Sequence, residues 1–188
     1  ASDVYKRQSL WNVAIAEGSV TPMTYYYLGW CLVQGKLSGA EQAFADAANA
    51  CPDYCFPNRL EAILALQCAM EQNPNDAKAP YYLGNLYYDK RQYDLALEAW
   101  ETSAGLDDKF ATIWRNLALA NFNKKDEEAT AIEYMERAFQ LDTTDARVLM
   151  ELDQLYKRVR RPHSERLAFL QQYPELIAQR DDLVLEEI

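Results

Sequence analysis

The heptapeptide YYLGWCL at Tyr26–Leu32 returns as YYLGNLY at Tyr81–Tyr87, then within WRNLALANF at Trp114–Phe122, and more faintly within LMELDQLY at Leu149–Tyr156. Each occurrence is followed by a second stretch with helical spacing of apolar residues: SGAEQAFADAANACP, YDLALEAWETSAGLD, ATAIEYMERAFQLD and HSERLAFLQQYP. On the shared leucines, Leu28, Leu83, Leu117 and Leu152, the last two steps are 117 − 83 = 34 and 152 − 117 = 35 residues. A period of this length means a unit of two helices that buries its apolar face only against its neighbours, so the repeat sets the fold before any single residue does. Composition agrees. Only six Gly and seven Pro interrupt a chain rich in Ala, Leu, Glu, Gln and Tyr, which lacks the turn vocabulary of sheet proteins, and the expected class is all-α.

These residues resemble the tetratricopeptide repeat, Trp-x2-Leu-Gly-x2-Tyr, then Ala-x3-Phe, then Pro, over about 34 residues. The unit at Pro80, Leu83, Gly84, Tyr87, Ala96, Trp100 and Asp108 departs from it at the first Trp and the last Pro. Tyr25, Leu28, Gly29, Leu32, Ala40, Phe44 and Pro52 form another unit, as do Trp114, Leu117, Ala118, Asn121, Ala131, Met135 and Thr143, with one extra residue in the turn NKKDEEAT. The last keeps Leu149, Leu152 and Tyr156, and its second helix matches only at Phe169. The resemblance implies a right-handed α–α superhelix over residues 9–180, with units at about 22–54, 77–110, 111–145 and 146–180 and a half-unit at 55–76. Packing logic points the same way. Small residues at 29, 84 and 118 on first helices and at 40, 96 and 131 on second helices let paired helices approach, while Phe44, Tyr87, Trp100 and Trp114 fill the space beside them. Gly84 is therefore a packing residue inside a helix that NLYYDK continues.

The period breaks once. Leu28 to Leu83 is 83 − 28 = 55 residues, 21 more than one 34-residue unit, and the surplus falls on CPDYCFPNRLEAILALQC, residues 51–68. Leu60, Ile63, Leu64 and Met70 supply one helix, closed by NPNDA. A lone helix inserted into an up-down stack would reverse all later helices unless the chain first travels back one helix length. The seven residues CPDYCFP reach ~23 Å when extended, against ~21 Å for a 14-residue helix. Pro52 and Pro57 disfavour helix there. The expectation is an irregular strap in place of a first helix.

The same stretch holds Cys51, Cys55 and Cys68, three of four cysteines, but no second close pair or nearby His that a structural zinc site would need; buried or incidental thiols are the expected reading. His163, the only histidine, follows Pro162 at a helix start with no Ser or Cys partner at catalytic spacing. Acid pairs sit at turns, and no phosphate loop or zinc-protease motif occurs. The reading is a non-enzyme without cofactor or metal. A net charge of −10 argues against nucleic acid, and the basic run YKRVRRPHSER is expected beside carboxylates or helix C-termini. No apolar stretch approaches the ~20 residues of a membrane span, and a cytoplasmic setting is expected. The ends read as a scar-like segment at 1–8 and the truncated start of a helix at 181–188, as in a piece of a longer chain.

Surface remains as the working part. In the resembling family first helices line a concave groove, and the resemblance maps its lining to Tyr26, Trp30, Tyr81, Asn85, Tyr88, Arg115, Leu119, Phe122, Arg147 and Gln154. Aromatics with Asn and Arg suit a peptide or protein partner. The clamp that some family members use for acidic chaperone C-termini does not fit, because Tyr81 and Glu151 stand at two of its cationic positions. A narrower resemblance, to helical regions of large bacterial proteins with an upstream β-sandwich domain, implies an alternative: a scaffold or cap for a carbohydrate-active or sugar-binding domain of the same chain.

Overall fold

A computed structural model describes residues 21–53 and 55–179, with Lys6, Ser9, Trp11 and Val13. Apart from Lys6, the two segments read as scar-like or truncated, 1–8 and 181–188, lie outside the described residues. All regular structure among the described residues is helical. The chain forms two compact units, residues 1–107 and 108–188.

The first unit holds α1 (Pro22–Gly35), α2 (Ala40–Asn49), α3 (Glu61–Gln72), α4 (Lys78–Asp89) and α5 (Tyr93–Leu106). α1 opens with Pro22, whose fixed φ and missing N–H suit a first helical position, behind a capping box of Thr21 and Thr24. α1 pairs with α2 and α4 with α5. In each hairpin a glycine faces a ring: Gly29 lies on Phe44 and Gly84 on Trp100. Trp100 is held there by its indole N–H, which donates to the Tyr81 carbonyl (3.3 Å) and to Asn85 Oδ1 (3.1 Å).

Residues 51–53 and 55–58 are irregular, as the two prolines predict. Within this strap Cys55 and Pro57 are buried. The Cys55 thiol lies near the Met23 backbone and the Thr21 and Tyr82 side chains, which places the strap beside α1 and α4. The helix that follows, α3, packs on α1 and α4 and barely touches α2. Its buried residues Ala62, Leu66 and Ala69 repeat the spacing of Ala96, Trp100 and Ser103 in α5. Among the described residues no helix stands between α2 and α3.

The second unit holds α6 (Ala111–Ala120), α7 (Glu128–Leu141), α8 (Ala146–Arg158), α9 (His163–Leu170) and α10 (Pro174–Ala178). Met135, Phe139, Leu149, Leu152, Tyr156 and Leu170 are among its core residues. The stretch HSERLAFLQQYP is helical only to Leu170, and a separate short helix begins at Pro174, where proline disfavours helix in the residue before it.

Four non-glycine residues, Lys36, Arg91, Asp126 and Arg160, adopt the left-handed conformation just beyond α1, α4, α6 and α8. From the repeat leucine to this residue the distance is 36 − 28 = 8, 91 − 83 = 8 and 160 − 152 = 8, but 126 − 117 = 9. The extra residue of the 35-residue step therefore lies between Leu117 and Asp126. A π-helical turn at Asn121–Lys125 absorbs it, with the Asp126 N–H bonded five residues back to the Asn121 carbonyl. Asn121 Nδ2 in turn donates to the Leu117 carbonyl (2.8 Å).

The fourth pair departs most. Asp153 follows Leu152 as Gly29, Gly84 and Ala118 follow their leucines, yet it is a buried carboxylate. Arg166 of α9 meets it with two hydrogen bonds, Nε to Oδ1 at 2.9 Å and Nη2 to Oδ2 at 2.6 Å. An ion pair has replaced the small-against-large contact, which is why α9 shows so little of the repeat pattern.

An added methyl at residue 29 or 84 would overlap Phe44 or Trp100, whereas one at Gly105 meets nothing within 4 Å. Gly29→Ala and Gly84→Ala are each expected to lower stability by ~1–3 kcal/mol in urea titration, while Gly105→Ala is neutral or gains up to ~1 kcal/mol from helix propensity.

Candidate partner-binding surfaces

The expected lining residues of the first unit divide into core and surface. Tyr26 is 0% exposed; its hydroxyl donates to Asp76 Oδ2 at 2.7 Å and its ring meets Tyr82 edge-on at 5.9 Å. Tyr81 is likewise buried. Neither lines a groove. α1 and α4 meet through Tyr26 and Tyr82, and Tyr26, expected at the surface, becomes part of this seam. Trp30, Asn85 and Tyr88 stay half-buried. Tyr88 lies on Trp100 (5.4 Å) and edge-on to Tyr93 (5.2 Å), and the Asn85 side-chain oxygen is engaged by Trp100.

Asp76 fastens this seam. Besides Tyr26, its carboxylate accepts from the amides of Lys78 (2.8 Å) and Ala79 (3.4 Å) at the start of α4. Burial holds its carboxyl above the usual range, while the Tyr26 hydroxyl and the two amides pull the other way. Beside it the buried Tyr82 hydroxyl faces the Cys55 thiol, and burial raises both groups above their ordinary values. An open pocket of about 330 Å³ lies between the start of α1 and the strap, lined among others by Trp11, Met23, Tyr27, Cys55, Phe56 and Pro57. Trp11 stacks on Tyr27 at 5.3 Å.

In the second unit the expected residues converge on a carboxylate. Arg115 of α6 grips Glu151 of α8 with both Nε and Nη2, each at 2.5 Å, and Arg147 Nε reaches the same carboxylate at 3.1 Å. The Arg115 and Glu151 side chains are 15% exposed and Arg147 is 60% exposed. Further along, the Arg158 guanidinium lies over the Phe122 ring at 5.2 Å. From Arg115 to Phe122 and from Glu151 to Arg158 is seven residues in both helices, so α6 and α8 run parallel, side by side, and share one surface. Leu119 and Gln154 are half-buried on these helices, and Leu119 and Phe122 pack on the core beneath.

Glu151 is the residue that sequence reasoning undervalued. It counted there as a lost cation, whereas it ties two helices together; the available signal was its position four residues after Arg147, one helical turn away. Arg158 was missed as well. The basic run otherwise sits beside acid and aromatic groups: Arg166 on Asp153, and Arg161 over the Tyr156 ring (3.7 Å) and near Glu136 (3.8 Å). His163 is exposed at the first residue of α9.

Among the described residues no disulfide links the cysteines, no group of three or more His, Cys, Asp or Glu is placed to hold a metal ion, and no helix is long and apolar enough to cross a membrane.

Helix hairpins closed by a small residue against a large one, repeated at this period, define an all-helical array of the α–α superhelical repeat class. Solved structures agree on that fold. MamA 41-end from Desulfovibrio magneticus RS-1 is similar at 17% identity with a TM-score of 0.59, over 97% of this chain and 99% of that one. A crystal structure of MamA protein matches at 16% identity and 0.63, over 95% and 93%. YrrB, a TPR protein with an unusual peptide-binding site, matches at 17% and 0.55, over 90% and 74%. No family model matches the chain.

The Asp76 geometry predicts a pH dependence. Because its folded-state value is raised, the folded protein takes up a proton at higher pH than the unfolded chain. The penalty of the buried charge therefore disappears as pH falls toward the ordinary carboxylate value of ~3.9. In urea titrations from neutrality to about pH 4, wild type should gain stability relative to Asp76→Asn as pH drops. A constant difference would contradict the assignment.

Proposed function

We propose that this protein is a non-catalytic interaction module that presents the exposed side of its first helices to a protein or peptide segment. The observation that carries the reading is the α6–α8 surface, where Arg115, Glu151 and Arg147 form a preformed charged cluster beside Phe122 and Arg158. Arginines fixed by a carboxylate lose little side-chain freedom on binding. Their planar donors and neighbouring aromatic groups suit a peptide backbone and its side chains. In the first unit Trp30, Asn85 and Tyr88 offer a half-exposed aromatic and amide surface of similar character. A protein-interaction role also accords with the similarity to YrrB, a TPR protein with an unusual peptide-binding site.

Affinity capture with the purified chain tests this. A partner recovered by wild type should fall at least ~10-fold with Arg115→Ala or Tyr88→Ala, and stay unchanged with Glu133→Ala on the exposed side of a second helix. Undiminished recovery with both first-helix variants would sink the proposal.

A further inference from the structure

The outer face of α3 differs in character from those of α2, α5 and α7. Aligned on Ala62 of α3 with Ala40, Ala96 and Ala131, Leu60 stands where these helices carry Ser38, Asp94 and Ala129, and Leu64 where they carry Gln42, Glu98 and Glu133. All six counterparts are exposed. Leu60 and Leu64 are exposed too, at 64% and 53%, and Phe56 of the strap, four residues earlier, is 73% exposed. Cys68 continues the line where the others carry Asp46, Thr102 and Arg137. Steps of four residues keep Leu60, Leu64 and Cys68 on one side of α3, so this helix carries an apolar stripe, preceded in the strap by exposed Phe56, at positions that are otherwise solvent-facing and mostly polar.

The charges at its two ends are opposite. Exposed Arg59 sits before the first turn of α3, and exposed Glu71, seven residues after Leu64 and on the same side, closes the stripe at the other end. A stripe that is positive at one end, apolar along its length and negative at the other is complementary to itself when reversed. About a two-fold axis at Leu64, Leu60 faces Cys68 of the opposed copy, and Glu71 faces the turn that carries Arg59. The helix dipoles then run antiparallel, which is also favourable.

We propose that this stripe is a self-association surface at which α3 of one chain packs antiparallel on α3 of a second copy. It uses none of the residues on which the function above rests, so the proposal stands independently of it. A contact three helical turns long is smaller than the ~1,200–2,000 Å² of stable complexes, and the dimer is therefore weak and concentration-dependent.

Sedimentation velocity on the 188-residue chain, from ~5 to ~500 µM, reads this directly. The mass should rise from 21.6 kDa toward twice that value. Leu64→Glu and Arg59→Glu should each weaken association at least ~10-fold, and Arg59→Glu combined with Glu71→Arg should recover to within ~3-fold of wild type. All three change exposed side chains, and circular dichroism checks that they stay folded. A monomer at every concentration, association indifferent to Leu64→Glu, or a charge swap no better than Arg59→Glu alone overturns the proposal. Capture of a different protein through the stripe by a chain that remains monomeric overturns it as well.

Discussion

The contact on which the structure depends is a helix position without a side chain pressed against the ring of the helix that returns beside it. At Gly84 and Trp100, and at Gly29 and Phe44, the space a methyl group would need is already filled by the ring. Glycine costs a helix ~1 kcal/mol relative to alanine. The close approach it permits places a buried Trp or Phe across the hairpin, and burying such a ring is worth ~1.5–3 kcal/mol. The local cost is thus outweighed by packing. Because the same positions recur along the chain, each hairpin can be built before its neighbours, and stability accrues unit by unit.

The fourth pair shows that the geometry outlasts the chemistry. Asp153 and Arg166 occupy the contact with a buried two-point ion pair. Such pairs add little net stability over apolar packing, but removing one partner strands the other and costs ~3–5 kcal/mol. The site therefore tolerates a joint exchange of both residues better than either single change.

This exchange also marks the limit of what could be read in advance. Leucine, glycine, alanine and ring positions recur at fixed spacing because they form one apolar contact, and residue type alone exposes them. The 21-residue surplus, with Pro52 and Pro57, likewise pointed to an irregular strap because chain reach and helix length are simple quantities. The Asp153–Arg166 pair escaped because a search for apolar partners cannot find a polar substitute for them. Tyr26 and Tyr81 were misplaced for a different reason. Tyrosine suits surface and core equally, and Tyr26 is decided by Asp76, fifty residues away. Glu151 escaped because its role rests on Arg115, thirty-six residues distant. The extra residue, expected somewhere in residues 123–130, could be located only once the left-handed residues gave a second set of markers.

A double-mutant cycle between Gly84→Ala and Trp100→Leu tests the central contact most directly. If the ring is what forbids a side chain at residue 84, replacing the ring should remove the penalty of Gly84→Ala, with a coupling of at least ~1 kcal/mol. Additive effects in urea titration, with Gly84→Ala equally costly with or without the indole, would contradict the account.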